Sequence, residues 1–117
     1  MTLQELVNTM GLDDLTPEVT TKRDALVKRG YASDLLSDVL ANAPAGGILV
    51  TLQVHLNVIA VASHAELVAV VFASGRRPED EVLARAAQEG IALFGADADT
   101  FEVVGRLYEL GVRGRGA

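Results

Sequence analysis

The chain contains no cysteine. That excludes a disulfide framework, thiolate catalysis and sulfur-ligated metals together, and it fits a cytoplasmic location. Aromatic residues are scarce, at 4%, so a core must be built from Leu, Val and Ala. Basic residues are also few. The 10 Lys and Arg stand against 16 Asp and Glu, a formal net charge of −6. Neutralising phosphate needs a basic face, so nucleic acid and an anionic membrane are excluded as main partners, although a local basic pocket is not. No apolar run comes near the roughly 18 residues of a membrane span. The opening Met1-Thr2-Leu3-Gln4-Glu5 lacks the basic flank and apolar run expected of a signal peptide.

Catalytic and metal motifs are equally thin. His55 and His64 are the only histidines, nine positions apart, and no carboxylate or His-x-x-x-His spacing joins them. No Gly-x-x-x-x-Gly-Lys-Ser/Thr loop occurs, and Ser33, Ser37, Ser63 and Ser74 have no nucleophile elbow around them. No metal, cofactor or catalytic residue is therefore expected. Asp34 and Asp38 stand one helical turn apart, but helix-start charge and a solvated face account for them more simply than a cation does.

What is present is a core. Half of the 117 residues are hydrophobic, which is room and material for one domain. The chain is organised around Gly46-Gly47-Ile48-Leu49-Val50-Thr51-Leu52-Gln53-Val54-His55-Leu56-Asn57. Its continuous apolar run reads as a strand buried on both faces, as in a parallel sheet covered by helices.

Taken in order, Thr2 caps a first helix with Leu3, Leu6, Val7 and Met10 on one face, and Gly11 ends it. A short extended piece at 12–16 and a polar loop at 17–23 follow. Residues 24–29 read as a short strand and 30–32 as a turn. Ser33 or Asp34 caps a helix running to about Ala43, with Leu35, Leu36, Val39 and Leu40 inward, and residues 44–47 break it. A strand at 48–53, a helix at 54–65 and a second buried strand at 67–73 come next. After a loop at 74–77, Pro78 opens a helix with Glu79, Asp80 and Glu81 in its first turn, and Gly90 stops it. A strand at 91–94 and a loop at 95–99 lead to a last helix, capped by Thr100. Its apolar side is read as Phe101, Val104, Leu107, Tyr108 and Leu110, with Gly111 closing it and a frayed tail at 112–117.

The alternation predicts an α/β domain: three layers, α/β/α, around a small, mostly parallel sheet. Three loops then follow strands and precede helices, at 30–34, 53–57 and 74–80. In a parallel sheet all three emerge on one edge, where helix starts favour anions. The ligand-binding candidates there are Tyr31, Ser33, Asp34, Gln53, His55, Asn57, Gly75, Arg76 and Arg77. Arg76 and Arg77 supply cationic donors for phosphate or carboxylate. His55 can contact a ligand or partner, make a structural hydrogen bond, or serve as a base.

Four stretches resemble a stand-alone DRTGG-domain protein: residues 30–39 (Gly-Tyr-Ala-Ser-Asp-Leu-Leu-Ser-Asp-Val), 51–57 (Thr-Leu-Gln-Val-His-Leu-Asn), 75–79 (Gly-Arg-Arg-Pro-Glu) and 99–103 (Asp-Thr-Phe-Glu-Val). Residues 90–94 followed by 99–101 are also similar to the N-terminal domain of HPr kinase/phosphorylase, and a comparable domain occurs in some long phosphate acetyltransferases. The resemblance covers nearly the whole chain, giving a single DRTGG-like domain at 1–111 and a C-terminal tail at 112–117. It implies a regulatory or ligand-sensing role without a settled activity, and a partner among iron-only hydrogenase and electron-transfer components. The catalytic P-loop domain of the kinase is absent, so kinase activity is not implied. The naming motif would fall at 24–30. Asp24 and Gly30 fit it, but Ala25, Lys28 and Arg29 stand where the motif has arginine, threonine and glycine. Either the ligand has become more anionic or that loop no longer binds.

The reading is a non-catalytic sensor of a small anionic or nucleotide-like ligand at the strand ends. The second reading is a protein interaction scaffold, including a homodimer. A His55-dependent hydrolase or transferase is a distant third.

Overall fold

The structure is a computed structural model that describes residues 1–116. Among these the elements run α1 (Leu3–Met10), β1 (Asp13–Asp14), β2 (Gly30–Ala32), α2 (Leu36–Asn42), β3 (Ile48–Thr51), α3 (Asn57–His64), β4 (Ala69–Phe72), α4 (Asp80–Glu89), β5 (Ala92–Gly95) and α5 (Thr100–Glu109). The sheet order is β1-β5-β4-β3-β2. The strands from β2 to β5 are parallel, and β1 runs antiparallel on the outer edge of β5. This is the expected three-layer α/β/α arrangement.

Because the parallel strands lie in sequential order, crossovers of one hand put α2, α3 and α4 on the same face. Val39, Val58, Ile59, Ala62, Val82 and Ala86 from these helices pack on Leu49, Val70, Phe72 and Leu93 of the sheet. The other face carries α1 and α5, whose Leu3, Leu6, Val7, Val103 and Leu107 cover Ile48, Val50, Val71 and Phe94. Every residue of β3, β4 and β5 is buried, as continuous apolar runs demand. No helix among the described residues is long and apolar enough to cross a membrane.

The first helix forms as its sequence directs. The Thr2 hydroxyl accepts from Glu5 N at 3.1 Å, and Thr2 N donates to the Glu5 carboxylate at 2.8 Å, a reciprocal capping box. Hydrogen bonding from Thr2, its backbone amide first and then its side chain, holds the Glu5 carboxyl below the usual carboxylate range.

Several local expectations are corrected. The strand at this point of the chain is Gly30–Ala32, read above as a turn, and not 24–29. Residues 24–29 make only isolated bridges, Leu26 with Thr2 and Arg29 with Arg113. Pairing with Ile48–Val50 overrides the turn tendency of a glycine. Neither Ser33 nor Asp34 caps α2. Its N-cap is Leu35, with no side-chain bond. Leu35 and Leu40 are exposed, because the helix is short and buries only Val39 fully. Residues 54–56 belong to the loop before α3, and Pro78 precedes Glu79, the N-cap of α4. Asp99, not Thr100, caps α5, accepting from Glu102 N at 2.9 Å. That helix buries Val103 and Leu107 and turns Phe101, Val104 and Tyr108 outward. Nor are residues 112 and 113 frayed. Val112 is buried, Gly30 N donates to Arg113 O at 2.8 Å, and Arg113 N donates to Lys28 O at 3.0 Å. The end of the expected tail, residue 117, lies outside the described residues.

Candidate functional site

A parallel sheet directs the loops after β2, β3, β4 and β5 to one edge. The sequential order leaves no reversal point, and hence no crevice of the kind made where two halves of a sheet diverge. A cavity at this edge must be made between neighbouring loops. One is present, a groove of about 460 Å³ between the loop after β3 and the loop after β4. Gln53, Val54, His55 and Leu56 form one wall, and Arg76, Arg77, Glu79, Glu81 and Val82 the other.

The first wall is built from Thr51, the last residue of β3. Its hydroxyl donates to Asp34 Oδ1 at 3.0 Å and accepts from Gln53 N at 3.1 Å. Asp34 Oδ1 also accepts from Leu52 N at 2.7 Å, and Gln53 Nε2 donates to Asp34 O at 3.0 Å. The loop after β2 therefore fastens the loop after β3, and Asp34 is occupied in doing so. One N–H of the Gln53 amide is likewise engaged, which leaves the second N–H and the carbonyl oxygen for other contacts. His55 Nδ1 accepts from Asn57 N at 3.1 Å, at the start of α3. An imidazole accepting at Nδ1 carries its proton on Nε2, so the ring offers a donor from that side.

The second wall starts from two residues in left-handed conformation, Ser74 (φ 58) and Gly75 (φ 71). The reversal they make lets Ser74 N reach Ala98 O at 2.8 Å and Gly75 N reach Ala96 O at 2.9 Å. Fixed in this way to the loop after β5, the turn presents two arginines with different fates. Arg77 Nη2 donates to Asp13 at 2.6 Å and to Asp97 at 3.4 Å, while Nη1 donates to Arg76 O at 2.9 Å. Arg76 is exposed and makes no ion pair among the described residues. Glu79 and Glu81 lie beside it, and no side chain caps α4. The groove thus combines one unpaired cation and an imidazole donor with two carboxylates.

The groove brings together four of the residues singled out from the sequence: Gln53, His55, Arg76 and Arg77. The others lie outside it. Ser33 Oγ accepts from Leu35 N at 3.2 Å. Asn57 is the first residue of α3, and Gly75 sits in the turn. Tyr31 faces α2, where its hydroxyl donates to Asp38 at 2.8 Å and Asn42 Nδ2 donates to the same oxygen at 2.8 Å. Asp38 is therefore half-buried and bonded, not a member of a solvated face. The bond from Asn42, then those from Tyr31 and Ser33, hold its carboxyl below the usual aspartate range. The bond to Asp38 in turn raises the Tyr31 phenol above its ordinary value. Sequence reasoning missed Val54, Leu56, Glu79, Glu81 and Val82 as groove residues. Helix-start charge is a sufficient account of Glu79 and Glu81 along the chain, and only the position of α4 beside α3 shows that they also face a cavity.

No protein-family model matches the chain, and no curated protein matches it. Among solved structures, it is similar to the CBS and DRTGG domains of the regulatory region of Clostridium perfringens pyrophosphatase, complexed with its activator diadenosine tetraphosphate. The TM-score is 0.74 at 12% identity, over 91% of this chain and 45% of that one. At this identity the likeness is one of fold. It supports a DRTGG-like α/β fold and lends nothing to the HPr kinase resemblance. The chain spans less than half the length of the structure it matches.

Proposed function

We propose that this chain is a non-catalytic regulatory domain that binds a small, anionic, nucleotide-like ligand in the groove between the loops after β3 and β4. One observation carries the reading: Arg76, which makes no ion pair among the described residues, shares one groove with Glu79 and Glu81, and the His55 ring stands on the facing wall. A purely anionic ligand would leave the two carboxylates opposed to it. A nucleotide uses both ends. Its phosphate takes Arg76 and the amides of the uncapped first turn of α4. Its ribose hydroxyls or exocyclic amine donate to Glu79 and Glu81, and a carboxylate accepting from a ribose hydroxyl is a recurrent nucleotide contact. The His55 Nε2–H and the Gln53 carbonyl read the remaining polar edge. The solved structure of like fold includes a nucleotide activator in its regulatory region, which supports the same class of ligand here.

Thermal unfolding of the purified chain tests this with adenosine mono-, di- and triphosphate, diadenosine tetraphosphate and inorganic phosphate. A ligand at about 100 times its dissociation constant adds about 2.7 kcal/mol of stability, a rise of several degrees for a domain of this size. The expected result is a rise with at least one nucleotide, lost in Arg76→Ala and reduced in Glu79→Gln. No rise with any nucleotide, or one indifferent to both substitutions, overturns the reading.

A further inference from the structure

The helix α5 carries a feature that its own fold does not use. Phe101, Val104, Gly105 and Tyr108 recur at helical spacing on a single face, and that face points away from the sheet. Phe101 is 82% exposed, Tyr108 56% and Val104 38%. Soluble domains rarely leave an aromatic-rich stripe of this kind uncovered without a partner for it. Gly105 is equally unexplained from within. A Cβ placed there meets nothing within 4 Å, so no internal packing requires a glycine, although glycine weakens a helix interior. Beside the stripe runs an apolar groove of about 320 Å³, floored by Ala32 and Val50 and walled by Val104 and Tyr108. Arg113 covers one face of the Tyr108 ring, its guanidinium carbon 3.9 Å from the centroid.

We infer that this face of α5 docks antiparallel onto the same face of a second copy of the chain. The stripe is complementary to itself. With a twofold axis between Val104 and Gly105, Phe101 lies opposite Tyr108 of the second copy, and Val104 lies opposite Gly105 of the second copy. The knob at one end of the stripe meets the groove at the other, and the glycine admits the approaching helix. Such an interface is isologous, each contact occurring twice. The charges agree with this register. Glu102 and Arg106 flank the stripe on one side, paired within the helix at 3.8 Å. In the antiparallel register Glu102 comes beside Arg106 of the second copy, so one rim carries two attractive pairs and no like-charge opposition. This surface lies away from the nucleotide groove, and the inference stands whether or not that groove binds.

Sedimentation equilibrium of the full chain, over the accessible concentration range, tests it. The expected species has twice the monomer mass and dissociates on dilution. Phe101→Glu brings it to the monomer mass at all concentrations. Glu102→Arg, which sets a second cation against Arg106 of the second copy, does the same. The double variant Glu102→Arg with Arg106→Glu restores the doubled mass. All three positions are exposed, so unchanged circular dichroism confirms that each variant is folded. A wild-type chain that is monomeric throughout overturns the inference, as does a dimer that survives Phe101→Glu.

Discussion

The guanidinium of Arg77 occupies the space in which Gly95 would carry a side chain. A Cβ at position 95 would collide with the Arg77 Cζ, Nη1 and Nε. Gly95 ends β5 and pairs with Asp13 of β1, and Arg77 reaches over it to the Asp13 carboxylate at 2.6 Å. An arginine that reads from sequence as a cation for a ligand thus also ties the loop after β4 to the antiparallel edge of the sheet.

Gly95→Ala is expected to displace Arg77 and to lose its pairing with Asp13 and Asp97. Both carboxylates are largely exposed, so the cost is up to about 1 kcal/mol. Arg77→Ala should cost a similar amount, and the double variant no more than the larger single one. A double-mutant cycle in urea measures this. Additive losses would show that the glycine is needed for another reason.

Asp34→Ala removes the acceptor for the buried Thr51 hydroxyl and for Leu52 N. Hydrogen bonds to a charged acceptor contribute about 1.5–3 kcal/mol each, and water can reach this loop, so a loss near the lower figure is expected. Asp34→Asn keeps a carbonyl oxygen in place and should recover much of it. Denaturant midpoints of the two variants give the comparison. If Ala and Asn behave alike, the carboxylate does not hold the loop after β3.

Stability should depend on pH through the pair Tyr31 and Asp38. The Asp38 carboxyl is held below its ordinary 3.8 by bonds from Asn42, Tyr31 and Ser33. A depressed carboxyl contributes stability that is present above about pH 4 and lost as pH falls through its lower folded value. Glu5, depressed by its bonds to Thr2, adds to the same acid limb. The Tyr31 phenol is raised above 10.0, chiefly by its bond to Asp38. Its contribution is present below about pH 10 and lost as pH rises through the folded value. Urea midpoints across pH should show both limbs. Asp38→Asn is expected to flatten the acid limb and Tyr31→Phe to abolish the alkaline one, while an unaltered profile in both variants would remove the pair from the account.

What the sequence made legible was the part dictated by local pattern. Residues 48–51 and 69–72 are apolar almost without interruption, and only a strand covered on both faces uses such runs, so β3 and β4 could be placed. Thr2 with Glu5 three residues on marks the start of α1. The failures lie where a distant partner decides. Gly30-Tyr31-Ala32 becomes a strand because β3 lies beside it, and Val112 packs within 3.1 Å of the space where Gly30 would carry a Cβ. α5 is apolar on more than one face, and periodicity alone does not say which of them meets the sheet. At the candidate site the strand-end loops could be placed, but not which of their residues converge. Tyr31 points to Asp38 and Asn57 belongs to the helix behind, matters settled by side-chain direction and not by order along the chain.

Val112→Ala tests how far the segment after α5 belongs to the fold. Val112 is buried against Gly30 and the α1 and α5 side of the core. Removing two buried carbons, each worth about 0.8 kcal/mol before any cavity cost, should destabilise by about 1.5–2.5 kcal/mol, read from urea unfolding. A loss below about 0.5 kcal/mol would mark the segment as peripheral.

The same segment has a consequence for the open border of the sheet. Lys28 O and Gly30 N would present a free acceptor and a free donor at the outer side of the β2 border, and Arg113 takes both. At the opposite border, β1 is two aspartates long. Short, charged or covered margins keep a sheet from recruiting strands from other molecules. Both margins thereby disfavour extension of the sheet by backbone pairing, which favours association through surfaces made of side chains.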